Sequence, residues 1–198
     1  MSVTHSPSDS VEPAWVGEVL HFWFDEMAAA QWFTKSDAID AQIRARFLTL
    51  HRRVVAGDGS VAGDGSVAMT HRPLLAAVIV LDQLSRNLFR GTPSAFAADP
   101  IARELSRAAV KQRCDDAMNE QERLFLYMPF AHSEDRNDQA LAVDLIARLG
   151  NQEWTHDAIA HKTIIDQFGR FPHRNAILNR HSSQDEVTFL QKPQAWWY

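Results

Sequence analysis

A chain of 198 residues with 45% apolar residues is long enough to bury one sizeable core and does not need a second domain. A net charge of -5 with no block of like charge excludes a basic nucleic-acid face and a polybasic membrane anchor. The lone Cys114 excludes an internal disulfide, no apolar run reaches membrane-spanning length, and the N-terminus lacks a basic stretch followed by an apolar one, so a cytoplasmic location is expected.

Met1 to Glu12 is rich in Ser and poor in apolar residues, which predicts a loose arm; residues 13–198 are expected to form a single helical domain. Pro13 suits the first position of a helix whose stripe is Trp15, Val16, Val19, Leu20, Trp23 and Phe24, with Trp32 and Phe33 capping that core. Asp37 is the expected N-cap of a second helix with Ile39, Ile43, Phe47, Leu50 and Val54 inside and Gln42, Arg46 and Arg53 outside. Residues 56–67 repeat Ala-Gly-Asp-Gly-Ser-Val twice, which reads as a flexible surface loop; a calcium site would need stacked turns or a terminal Glu.

Leu74 to Leu81 is apolar on every side, as in a fully buried helix, and continues as Asp82-Gln83-Leu84-Ser85-Arg86-Asn87-Leu88-Phe89-Arg90. Helical spacing puts Leu75, Ile79, Asp82, Arg86 and Arg90 on one stripe that turns from apolar to ionic, with Asp82 and Arg86 paired at i, i+4. Asp99-Pro100 opens a scaffold helix through Ile101, Leu105, Ala108 and Ala109. A further helix from Asn119 should end or kink at Met128, because Pro129 removes a backbone donor and clashes with the preceding turn.

The next residues form a polar corner, with His132 unexplained by local structure, Ser133 the expected N-cap of the following helix, and Glu134 and Asp135 in its first turn. That helix runs through Leu141, Leu145, Ile146 and Leu149 to Gly150. Another spans about Glu153 to Phe168 with Trp154, Ala158, His161, Ile165 and Phe168 inward, and His161 reads as a core histidine or a ligand contact. Gly169 stops it, Pro172 starts a short helix through Ile177 and Leu178, and Ser183 with Glu186 makes a capping box for a last helix bearing Val187, Phe189 and Leu190. The tail Ala195-Trp196-Trp197-Tyr198 is aromatic enough to pack down or to mark a contact surface, which allows a homodimer.

Asp82-Gln83-x-x-Arg86 recurs as Asp166-Gln167-x-x-Arg170, Asp-Gln returns at Asp138-Gln139, and Arg-Asn stands at 86–87, 136–137 and 174–175. Polar sets at the ends of several apolar helices are how a bundle assembles one shared site. The motifs His21-Phe22-Trp23-Phe24, Leu81-Asp82-Gln83-x-x-Arg86-Asn87-x-x-Arg90-Gly91, Tyr127-Met128-Pro129-Phe130-x-His132-Ser133-Glu134 and Phe168-Gly169-Arg170-Phe171-Pro172-His173-Arg174-Asn175 resemble, in order and spacing, a widespread bacterial family catalogued as domain of unknown function 924. The resemblance implies an all-α, tetratricopeptide-like superhelical bundle, here a single domain of about eight or nine antiparallel helices, and brings no activity or cofactor. The chain departs from the family pattern at Ser85, where Pro is usual, at Asn179, where Gly is usual, and at the repeat, which stands where a short Trp-bearing segment is usual.

Three functions fit these residues. In the first, Arg86, Arg90, Arg170 and Arg174 hold a small anionic metabolite, His132 or His173 acts as acid or base, Glu134 or Asp82 orients an imidazole, and Asn87, Asn175, Gln139, His161 and Tyr127 complete the pocket. The excess of Arg, sixteen to four Lys, fits buried ion pairs or such an anion site, and also a GC-rich genome. Ser133 beside His132 is no triad and no Gly-x-Ser-x-Gly elbow exists, so hydrolase or lyase chemistry would be acid/base rather than nucleophilic. In the second, a tetratricopeptide-like groove binds a peptide or partner protein. In the third, His132, Glu134, His161 and His173 hold a metal, but no His-Glu-x-x-His or Cys/His spacing is present, so neither a metal nor a cofactor is expected. The first is preferred, since a peptide groove does not require clusters of Arg, His and acid at the ends of apolar segments.

Deleting one repeat copy, Ala62 to Val67, should leave the melting temperature nearly unchanged, because doubling a flexible loop alters closure entropy by only about 0.6 kcal/mol. A large drop in a thermal melt would mean that the loop is packed or metal-bound.

Overall fold

The computed structural model describes residues 12–57 and 70–192, so the arm before Glu12, most of the repeat and the aromatic tail lie outside the described residues. Within them the chain is all-helical, with no strand. Helix α1 (Ala14–His21) widens into a π-helical turn over Phe22–Glu26, where the Met27 amide donates to the Phe22 carbonyl at 3.1 Å. Helix α2 (Asp37–Val55) is capped by Ser36, whose hydroxyl accepts from the Ile39 amide; Asp37 sits in the first turn instead, where its charge suits the helix dipole.

Helix α3 (His71–Val78) runs without a break through a π-helical stretch, Ile79–Leu84, into α4 (Ser85–Leu88). Every residue from Leu74 to Leu81 is buried, as expected of a helix apolar on all faces, and this rod packs against α1, α2, α5 (Asp99–Lys111) and α6 (Glu120–Ala131). Ser85 fits the crowded interior because its hydroxyl donates to the Leu81 carbonyl at 2.6 Å and accepts from His51 Nε2 at 2.7 Å. In α5 the buried face is Ala102, Ser106 and Ala109; of the expected positions Ala109 is buried, Leu105 packs half-buried against the core and Ile101 is exposed, and the small residues let α5 approach the rod closely.

Helix α6 does not end at Met128. Pro129 lies inside its last turn and the helix continues to Ala131 with His132 as C-cap, the His132 amide donating to the Met128 carbonyl at 2.9 Å. Helix α7 (Arg136–Ala147) is capped by Asp135, whose carboxylate takes the Asn137 and Asp138 amides, whereas Ser133 is drawn to Asp138 and Arg103. Helices α6, α7 and α8 (Gln152–Phe168) pack in succession, an order compatible with tetratricopeptide-like hairpins.

Gly169 closes α8 at φ 69°, and a single 3-10 turn, Pro172–Arg174, replaces the longer helix expected there. Asn179 then takes φ 54°, a left-handed conformation that explains why glycine suits this position and why asparagine can replace it. The last helix, α9 (Gln184–Leu190), has the expected capping box, but Val187 and Leu190 face solvent and Glu186 is the buried residue, accepting two bonds from Arg170.

The principal core is organised on Phe125, fully buried in α6, whose ring meets Trp23 at 5.3 Å, Trp32 at 4.9 Å and Phe24 at 5.7 Å between centroids. Phe125→Ala is expected to cost about 3–5 kcal/mol in denaturant unfolding. A loss below about 1 kcal/mol would remove Phe125 from that central role.

Candidate ligand-binding and acid-base site

The π-helical stretch delivers Asp82, with no exposed surface, into the interior of an otherwise apolar rod. A bare carboxylate cannot stay ionised there, and three side chains answer it. His132 Nδ1 donates to both oxygens at 2.9 Å, Gln83 Nε2 donates at 2.6 Å and Arg86 Nη1 lies 3.1 Å away. Arg86 in turn makes a bidentate pair with Asp99 at 3.0 and 3.1 Å. The same carboxylate of Asp99 stands 3.7 Å from Arg174, whose guanidinium is sandwiched between the Phe96 and Phe171 rings at 4.6 and 4.5 Å. The result is a row of alternating charge, Arg174, Asp99, Arg86 and Asp82, ending on an imidazole.

Burial alone pushes the Asp82 carboxyl up, but Arg86 and His132 outweigh it and hold it at about 2. Burial and then Arg86 push His132 below its ordinary value despite Asp82 beside it, so the ring is neutral near pH 7. A carboxylate can only accept, so the proton of that neutral ring sits on Nδ1 and Nε2 is its acceptor. His161 lies with its ring centre 6.3 Å from that of His132; burial lowers it too, and its Nδ1 donates to the Asp157 carbonyl at 2.8 Å. Burial and the neighbouring Arg174 bring His173 down to about 3.

His132 and Arg86 form part of the wall of a cavity of about 370 Å³ between α4, α6 and α8. Its polar side includes Gln83, Arg86, Asn87, Arg90, His132 and His161 together with Thr34 and the acids Glu153 and Asp157, and its apolar side includes Trp32, Phe33, Leu124, Met128 and Trp154. Arg90 and Asn87 are fixed by Asp40, which accepts from Arg90 Nε at 2.7 Å and from Asn87 Nδ2 at 2.8 Å. Among the described residues no three metal-ligating side chains converge, and no helix is long and apolar enough to cross a membrane.

Of the residues singled out in the sequence, Arg86, Asn87, Arg90, His132 and His161 meet at the cavity, while Asp82 stands behind it against His132 and Arg86, and Arg174 lies farther back beyond Asp99. The others do not line it. Glu134 is clamped by Arg180 at 2.6 and 2.9 Å and by the Phe171 amide at 2.8 Å. Arg170 turns outward to Glu186, Tyr127 donates to Asp115 at 2.6 Å on another face, and Asn175 donates to Ser182. Gln139 donates to the Ala131 and Ser133 carbonyls at 2.7 and 2.6 Å and so holds the corner after α6. His173 packs beside Phe171 rather than on the cavity wall. The apparent echo Asp166-Gln167 is exposed, with Asp166 paired to Lys162. Sequence reasoning missed Asp40 and Asp99, the two carboxylates that set the arginines, and read Trp32 only as a core cap; Asp99 offered no signal beyond its place before Pro100.

The family described as bacterial protein of unknown function (DUF924) matches residues 19–194. A protein of unknown function from Agrobacterium tumefaciens has a similar solved structure, with 35% sequence identity and a TM-score of 0.83, covering 91% of this chain and 98% of that one. No curated protein matches. The chain belongs to the DUF924 family.

Proposed function

We propose that the chain binds a small, partly apolar metabolite in the cavity and acts on it by acid-base chemistry, with His132 as the proton acceptor and Asp82 as the group that orients it. The observation that carries this reading is the contact of His132 Nδ1 with the buried carboxylate of Asp82 at 2.9 Å, on a ring that lines the cavity. The pairing fixes the tautomer and leaves Nε2 to take a proton, the same division of labour as in any histidine base backed by a carboxylate. Arg86 favours the neutral form of His132, which is the form a base needs.

The interaction-module alternative is less well supported, because a cavity of about 370 Å³ has the dimensions of a small-molecule site rather than of a groove for a helix or an extended peptide. Arg90 and Asn87 support the reading as contacts for the ligand's polar end, with Trp32 and Trp154 covering its apolar part.

A metabolite library screened by thermal shift should give ligands that lose their effect in Met128→Trp, which fills the cavity while circular dichroism stays unchanged. For a ligand that turns over, His132→Gln and Asp82→Asn should each reduce kcat by about 10²–10⁴-fold while His132→Gln still binds. Hits that bind Met128→Trp as well as wild type would refute the cavity reading.

The same protonation states set acid stability. His51, His132, His161 and His173 are all held below their ordinary value, burial being the first cause in each. In the unfolded chain they titrate near about 6.5, so as pH falls through that value the unfolded state takes up protons that the folded state refuses, and stability drops. Each ring that stays neutral contributes about 1.4 kcal/mol of loss per pH unit. Denaturant unfolding between pH 7 and 5 should therefore be less steep by about that amount in His173→Gln than in wild type; equal slopes would mean that His173 is charged in the fold.

A further inference from the structure

The charges on the cavity wall stand in two different conditions. Arg86 is forked onto Asp99 and Arg90 onto Asp40, which also takes the Asn87 amide, so the basic side is already answered by acids of the protein. Glu153 and Asp157, one turn apart on α8, are not answered: among the described residues neither enters an ion pair and neither carboxylate accepts a hydrogen bond. Glu153 lies in the first turn of α8, where the helix dipole favours an acid. Asp157 lies a turn further in, and burial, reinforced by Glu153 and only partly offset by His156, pushes its carboxyl above the ordinary value. A further acceptor stands deeper in the wall. Gln83 is 6% exposed and its Nε2 is spent on Asp82 and on the Met128 sulfur, whereas its Oε1 accepts no hydrogen bond among the described residues and is not sealed from the cavity that Gln83 lines. The neutral ring of His132 likewise presents Nε2 as an acceptor. The unanswered charge of the wall is therefore negative, and its open inner atoms accept.

We propose that the cavity takes an organic amine in its ammonium form: the charged group sits against Asp157 and Glu153 beside the Trp32 and Trp154 rings, and a second hydrogen-bond donor of the ligand meets Gln83 Oε1 and His132 Nε2. The proposal rests on the cavity reading above and names the class of ligand that it takes. Carboxylates give an ammonium group charge-assisted hydrogen bonds, and indole faces attract a cation. Trp32 is fixed for that purpose, since its Nε1 donates to the Trp23 carbonyl at 2.8 Å, and Trp154 comes from the same stretch of α8 as the two acids. Among the described residues no third metal-ligating side chain joins them, so the set suits a soft organic cation better than a metal ion. One helical turn, about 5.4 Å, separates Asp157 from His161 on α8, and the His161 ring lies beside that of His132. The ammonium group is thereby held a short carbon chain away from the imidazole, so the two acids bind the ligand at one atom and His132 takes a proton at another.

The test uses the whole protein with three probes of similar skeleton, phenethylamine, 2-phenylethanol and phenylacetate, at pH 7 and matched ionic strength. In a ¹⁵N spectrum of the wild type, the indole N–H of Trp154 should shift on adding phenethylamine. Calorimetry should give the amine an affinity at least about tenfold above those of the alcohol and the acid. Asp157→Asn, a near-isosteric change at an exposed position, should weaken phenethylamine by about tenfold and leave 2-phenylethanol unchanged, and Glu153→Gln should act in the same direction by a smaller factor. Phenylacetate or 2-phenylethanol binding as tightly as the amine, a preference for the amine that survives both substitutions together, or no shift of the Trp154 indole would each overturn the assignment. Amine binding retained in Met128→Trp would overturn it as well, by placing the charged group outside the cavity. A neutral alcohol that binds wild type and is excluded by Met128→Trp would leave the acid-base reading of the cavity standing when the amine assignment falls.

Discussion

The structure depends on one ionised carboxylate in the middle of a buried helix. Asp82 has no exposed surface, and the helix that carries it is apolar from Leu74 to Leu81. The interior can hold that charge only if partners reach it, so α6 must end with His132 in contact and α4 must carry Arg86 one turn away. Arg86 brings a second charge that needs its own answer, which Asp99 supplies from the start of α5. Each partner thus creates the requirement that the next one meets, and the row ends at Arg174, which shares Asp99 with Arg86 and lies between two aromatic rings.

Such a network is poor as a device for stability. Well-packed apolar residues in place of buried ion pairs are often neutral or stabilising, whereas removing one partner leaves a stranded charge. The wide π-helical stretch across Ile79–Leu84 argues the same way, since an insertion of this kind loosens the regular ladder and is found mostly where a side chain must be re-aimed. The physical return for both costs is a histidine of fixed tautomer on the wall of a cavity, and no packing argument accounts for that ring.

The helices were legible in the sequence because apolar periodicity depends on nearest neighbours, and α2 and α8 are found within a residue or two of the expected limits. Caps were less legible. Ser133 has the composition of an N-cap, but Arg103 and Asp138 compete for its hydroxyl from elsewhere in the fold, and Asp135 takes the amides instead. Pro129 has the composition of a helix end, yet the helix has one more turn to make before His132 and the proline is accommodated there. In the site, Asp82, Arg86 and His132 stood out because polar residues follow apolar runs at those points. Asp40 and Asp99 did not, since their partners lie 50 and 13 residues away and nothing local distinguishes an acid that pairs from one that faces water. Glu134 and Gln139 show the converse: they belong to the same polar corner as His132 but serve to hold it against Phe171, Arg180 and the carbonyls after α6.

The arrangement also sets the proton affinity of the imidazoles, which burial lowers first. Arg86 lowers His132, and Arg174 and Arg86 lower His161, so both rings stay neutral partly because two guanidiniums stand close by in a medium that screens them weakly. The buried row of charges therefore does more than orient His132: burial and Arg86 together keep the ring neutral where a surface histidine screened by water would be partly charged.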